Sequence, residues 1–168
     1  MRGSSLHQSA VVLWKLIQMN RGAALALLGL LLAQGSASAL PQGGKVVGGQ
    51  ATIAHPNLTQ LHIKQLTDRA VINWESFNIG KPEAVYFFQP SSSSAILNRV
   101  TGNTPSSIAG QINANGQVML INPNGILLTP TSQVNVGSFL ASTLDMKNAD
   151  FMAGKLARHT RCTATLLS

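Results

Sequence analysis

Cysteine is almost absent from this chain: Cys162, close to the C-terminus, is the only one. The stretch from Leu40 to Gly154 therefore contains no disulfide and no thiolate metal site. Acidic residues are scarce too, five against twelve basic ones, for a net charge of +7. The excess lies at the two ends, with Arg2, Lys15 and Arg21 at one and Lys155, Arg158 and Arg161 at the other. Between them six basic residues face five acidic ones. A nucleic-acid binder needs a clustered basic face to neutralise phosphates, and this body has none. Long hydrophobic runs are missing as well. The longest, Ala23 to Ala33, has eleven residues, against the ~20 that a membrane-spanning helix needs.

That short run has a different meaning. Arg2, Lys15 and Arg21 precede it with no acidic residue among them, and Ala37-Ser38-Ala39 follows it. A basic region, an apolar core and an A-x-A site together read as a secretory signal peptide over residues 1–39, cut after Ala39. Met19 offers a second start. A cysteine-free body also suits a chain that crosses the periplasm unfolded, where disulfides would lock structure early.

Beyond the signal, no window holds helical i, i+3, i+4 spacing over three turns. Short apolar alternations recur instead. Ala84-Val85-Tyr86-Phe87-Phe88 is β-branched and aromatic and stops at Pro90, and Ile96 to Val100, Gln117 to Ile121, Val134 to Val136 and Phe139 to Thr143 follow with turns between them. The chain is all-β. Asn115-Gly116 between apolar alternations is a hairpin signal and favours a sandwich or barrel. Stacked Asn and Ser in polar turns suit a parallel β-helix equally well. The pattern leaves both open.

No catalytic constellation is present. His55 and His62 do not have metal-ligand spacing on a strand, so no metal site is expected, and His62 should point away from the apolar Leu61 and Ile63. Asp68 beside Arg69 reads as a surface ion pair. Glu75, Glu83, Asp145 and Asp150 are scattered rather than paired for acid–base work. There is no phosphate loop, no dinucleotide fingerprint and no nucleophile elbow. No cofactor and no enzyme activity are expected. Trp74, Phe77, Tyr86, Phe87 and Phe88 could form a carbohydrate platform, but aromatics in short strands are more often core.

The most informative segment is Asn122-Pro123-Asn124-Gly125, with Val118 and Leu120 before it and Ile126 and Leu128 after it. Asn first, Pro second and Gly fourth is what a type I turn requires. It stands in order with Asp68 to Gly80, with Asn98-Arg99-Val100-Thr101 and with Ala141 to Met146. Together these segments resemble the N-terminal secretion domain of two-partner secretion exoproteins, the filamentous-haemagglutinin and adhesin family of Gram-negative bacteria. The resemblance runs from about Leu40 to Gly154. It implies a right-handed parallel β-helix, and a partner in the POTRA domains of an outer-membrane β-barrel transporter. It implies a secreted or cell-surface location reached through the periplasm. It also implies a role in secretion for Asn122, Pro123, Asn124, Gly125 and Ile126, with Asn98 and Arg99 from the earlier motif. The competing interpretation is that Asn122 and Asn124 only make the turn stable.

The sequence departs from the family pattern in two places. The family's Asn-Pro-Asn-Leu signature has no counterpart, since His55-Pro56-Asn57-Leu58 comes too early. Residues 155–168 bring a cysteine and three basic charges without strand rhythm, as a frameshifted or truncated frame would. Residues 40–154 then form the first part of a secretion domain, an incomplete β-helix with open edges at its last coil. Adhesion to host cells or carbohydrate would belong to a passenger not present here. The alternatives are a self-contained exported carbohydrate-binding β-helix and a non-functional truncated remnant.

Overall fold

Strands of three to seven residues recur because apolar alternation keeps meeting a Gly, Pro, Asn or Ser turn. The computed structural model describes residues 39–155. The expected signal peptide lies outside them except for Ala39, and the tail except for Lys155. The strands are β1 (Lys45–Gly48), β2 (Ala51–Asn57), β3 (Gln60–Gln65), β4 (Arg69–Trp74), β5 (Ala84–Phe88) and β6 (Ala95–Val100). They continue as β7 (Ser106–Ile108), β8 (Gln111–Ala114), β9 (Gln117–Ile121), β10 (Ile126–Leu128), β11 (Gln133–Asn135) and β12 (Ser138–Ser142).

These strands wind into a parallel β-helix of about four turns, as the resemblance implies. One face carries the order β1-β4-β6-β9-β12, a second β2-β3-β5-β8-β11, and a third the short pair β7-β10. Pairing is parallel along the winding: Ala70 sits beside Ile96 and Ile96 beside Val118, while Val85 sits beside Ile112 and Ile112 beside Val134. Like residues therefore stack on like. The exceptions close the N-terminal end. Strand β1 runs antiparallel to β4 and β2 antiparallel to β3, and Leu40 is buried in the core beneath them.

The period-2 alternation sorts side chains to the two sides of each sheet. Leu61, Ile63, Ile72, Trp74, Val85, Phe87, Ile96, Ile112 and Leu120 fill the interior. A second apolar cluster lies on the opposite side of β4, β6 and β9, where Val71, Leu97, Met119 and Ile121 are buried. Its cover is the C-terminal segment, which carries a single helical turn, α1 (Asn148–Met152), and inserts the fully buried Phe151. The segment is tethered by Arg99, whose Nε donates to Asp145 Oδ1 at 2.7 Å and whose guanidinium also reaches Asn148 Oδ1 and the Met146 carbonyl.

Three expectations change here. Asn115-Gly116 is a corner between β8 and β9, which lie on different faces, and not a hairpin. A Cβ on Gly116 would lie 2.7 Å from the Ser94 carbonyl oxygen, so close approach of the preceding coil is what calls for glycine. Helix α1 was invisible to periodicity because five residues cannot display a 3.6-residue repeat. Arg69 does not pair with Asp68; its guanidinium lies 5.5 Å over the Phe151 ring, where covering an aromatic face is the available interaction. Among the described residues the ion pair is Arg99 with Asp145.

Candidate functional site

The Asn122–Gly125 turn forms where β9 leaves one face and β10 begins another. Gly125 N–H donates to the Asn122 carbonyl at 3.0 Å, closing the turn. Among the described residues none but glycine has positive φ, so Asn124 takes the third place of a type I and not a type II turn. Gly125 itself sits at φ +109°, a region that side chains disfavour.

Asn122 is fully buried and every polar group on it is used. Its N–H donates to the Ser142 carbonyl of the next coil at 3.0 Å. Its Nδ2 donates to the Thr104 carbonyl at 3.0 Å and to Ser106 Oγ at 2.9 Å, both in the preceding coil. Its Oδ1 accepts from Asn124 N–H at 2.9 Å and from Asn124 Nδ2 at 3.1 Å. Backbone and side chain of this one residue thus tie three coils together. Asn124 adds a 2.9 Å hydrogen bond from Nδ2 to the Gly102 carbonyl, yet the residue is exposed, as is Pro123. Beyond the turn Ile126 packs against the core, and Leu127 and Leu128 are exposed at 54% and 38%. Pro123, Asn124, Leu127 and Leu128 make up the outward part of this corner.

Asn98 and Arg99 lie on β6, one coil back. Asn98 points inward, accepting from Trp74 Nε1 at 3.0 Å and donating to the Met119 carbonyl at 3.4 Å. Arg99 points outward and is occupied by Asp145, Asn148, Met146 and Asn73. The two join the turn indirectly: Arg99 is in register with Ile121, and the loop after β6 is the one on which the turn rests.

The aromatic residues divide. Trp74, Phe77 and Phe87 are buried, with Trp74 and Phe77 edge-to-face at 5.7 Å. Tyr86 and Phe88 face outward beside His62, whose ring meets theirs edge-on at 5.1 and 5.2 Å. His62 points away from Leu61 and Ile63, as its place on the strand dictates. Among the described residues no group of three or more His, Cys, Asp or Glu side chains is arranged to hold a metal ion.

Comparison with known proteins agrees with this geometry. The chain is similar to two heme/hemopexin-binding proteins of Haemophilus influenzae, at 42% identity over 107 and 112 residues. These matches cover 64% and 67% of this chain but only 12% of either relative. Among solved structures, it is similar to the HMW1 secretion domain of Haemophilus influenzae, with 43% identity and a TM-score of 0.65. That match covers 68% of this chain and 30% of the other. The family model described as the TPS secretion domain matches residues 37–165. With its coils, its closed N-terminal end and its stacked Asn-Pro-Asn-Gly corner, this chain belongs to the TPS secretion domain family.

Proposed function

We propose that the domain is the targeting end of an exported adhesin- or haemagglutinin-like protein, bound in the periplasm by the POTRA domains of an outer-membrane β-barrel transporter. The signal peptide over residues 1–39 delivers it there. The transporter passes it outward to fold as the first coils of a β-helix at the cell surface. The observation that carries this reading is the division of labour at the corner. Asn122 is spent entirely inside the fold, whereas Pro123 and Asn124 stand outside it beside exposed Leu127 and Leu128. The inner residues Asn122, Gly125 and Asn98, with Arg99 on the far side, build the surface, and the outer residues present it. Binding of host cells or carbohydrate belongs to a passenger region, and no catalytic role is assigned to this domain.

Co-expression of the full chain with and without such a transporter tests the reading. Transporter-dependent appearance in the medium, lost in Asn124→Ala although that variant still folds, supports it. Retention of folded protein in the periplasm in every case overturns it.

A further inference from the structure

Glu83 is a carboxylate in an unusual place. It is 5% exposed, and its partners include two backbone amides. Gly80 N–H donates to Oε2 at 2.6 Å, and Ala39 N–H, from 44 residues earlier in the chain, donates to Oε1 at 2.8 Å. Ala39 and Gly80 pack against one another at this point: a Cβ on Gly80 would stand 3.7 Å from that of Ala39. The next residue, Leu40, is 2% exposed in the core. Gln42 bridges to Ser76, with its N–H donating to the Ser76 carbonyl at 2.9 Å and its carbonyl accepting from Glu75 N–H at 3.0 Å. The start of the fold is therefore anchored from Leu40 onward, whatever precedes it.

Ala39 also ends the A-x-A signal. Hydrolysis of the Ala39–Leu40 peptide bond adds hydroxide from water to the Ala39 carbonyl carbon and a proton to the Leu40 nitrogen. The new acid ionises as a carboxylate, and the new amine takes up a proton to become an ammonium ion, its main form at neutral pH. Leu40 nitrogen is the next backbone nitrogen after the Ala39 nitrogen that Glu83 holds, three covalent bonds further along the chain. We propose that Glu83 is the receptor for the mature N-terminus, a buried carboxylate that forms an ion pair with the α-ammonium of Leu40 once the signal is removed. Before the cut, Glu83 Oε1 receives a neutral amide; afterwards a cation stands within its reach. A hydrogen bond between charged partners is the stronger one, and a buried carboxylate gains most from it. Removing the signal therefore tightens the closed end of the β-helix, and the precursor is the less stable form. The proposal takes from the export reading only the position of the cut; the transporter has no part in it.

The test uses the full precursor expressed in an export-competent Gram-negative host. Intact mass of the processed product should give Leu40 as the first residue. Its melting temperature is then compared with that of the processed product from a precursor carrying Gly-Ser inserted after Ala39. The insertion moves the ammonium two residues outward and leaves a neutral amide at Leu40. The insertion should lower the melting temperature by roughly 4 °C or more, and should change nothing in a Glu83→Gln background. That non-additivity is the signature of a direct pair. An equal loss in both backgrounds, no loss in either, or a mature N-terminus elsewhere overturns the proposal. Should Glu83→Gln fail to accumulate, selective acetylation of the α-amine in the parental protein replaces it, and an unchanged melting temperature then overturns the proposal. A chain indifferent to these changes but still secreted with its transporter would sink this proposal and leave the secretion reading standing.

Discussion

The indole Nε1 of Trp74 donates a 3.0 Å hydrogen bond to Asn98 Oδ1 across two neighbouring coils, inside a core where neither residue exceeds 1% exposure. A buried indole N–H without a partner is costly, so this pair fixes which residue can follow Leu97 on the inner face. Asn98→Leu is close in size but cannot accept. It should lose about 2 kcal/mol, read as a lower urea midpoint with an unchanged slope.

At the corner, the two asparagines should separate cleanly. Asn122→Ala removes hydrogen bonds to Thr104, Ser106 and Asn124 from a fully buried site. A loss of about 3 kcal/mol follows. Asn124→Ala removes the exposed bond to Gly102 and the Nδ2 bond to Asn122 Oδ1, which keeps the Asn124 N–H, and should cost only about 1 kcal/mol. Equal losses in chemical denaturation would contradict the assignment of one residue to the inside and the other to the surface.

Two glycines should fail for different reasons. At Gly116 a Cβ would meet the Ser94 and Ser91 carbonyl oxygens at 2.7 and 2.9 Å, and backbone cannot step aside. Gly116→Ala should cost more than ~2 kcal/mol. At Gly125 the nearest atom stands 3.9 Å away, and only φ of +109° is strained. Gly125→Ala should cost about 1–2 kcal/mol. Thermal melts of the pair check the order.

The cover on the outer cluster gives a fourth expectation. Phe151→Ala uncovers Val71, Leu97, Met119 and Ile121 and should cost about 3 kcal/mol. Hydrogen exchange should rise along β4, β6 and β9. Asp145 is 56% exposed in its pair with Arg99, so Asp145→Asn should change stability by no more than ~0.5 kcal/mol.

Much of the fold was legible because its signals are local. Ala84–Phe88 and Gln117–Ile121 carry β-branched and aromatic side chains between turn residues, and each is a strand. The winding was not legible from periodicity. Asn115-Gly116 has the same letters whether the next strand folds back or turns a corner, and that choice rests on the Ser91–Ser94 loop one coil away. The resemblance resolved it. The turn was readable to its type, but the burial of Asn122 was not, since its partners Thr104, Ser106 and Ser142 come from other coils. Glu83 looked like one scattered carboxylate among several, because its partner Ala39 lies 44 residues away.

The parallel register has a kinetic consequence. Gln60 pairs with Ala84, 24 residues on, Ala84 with Gln111 after 27, and Gln111 with Gln133 after 22. Even the antiparallel cap joins residues only 28 apart, Lys45 with Asn73. The entropy of closing a loop grows with the logarithm of its length, so adding each coil costs nearly the same as adding the one before. The separation between paired strands stays near one coil, however many coils are added. Its edge grows in near-equal steps, each needing only the coil already formed, and the length of chain still to arrive does not enter the cost of any step.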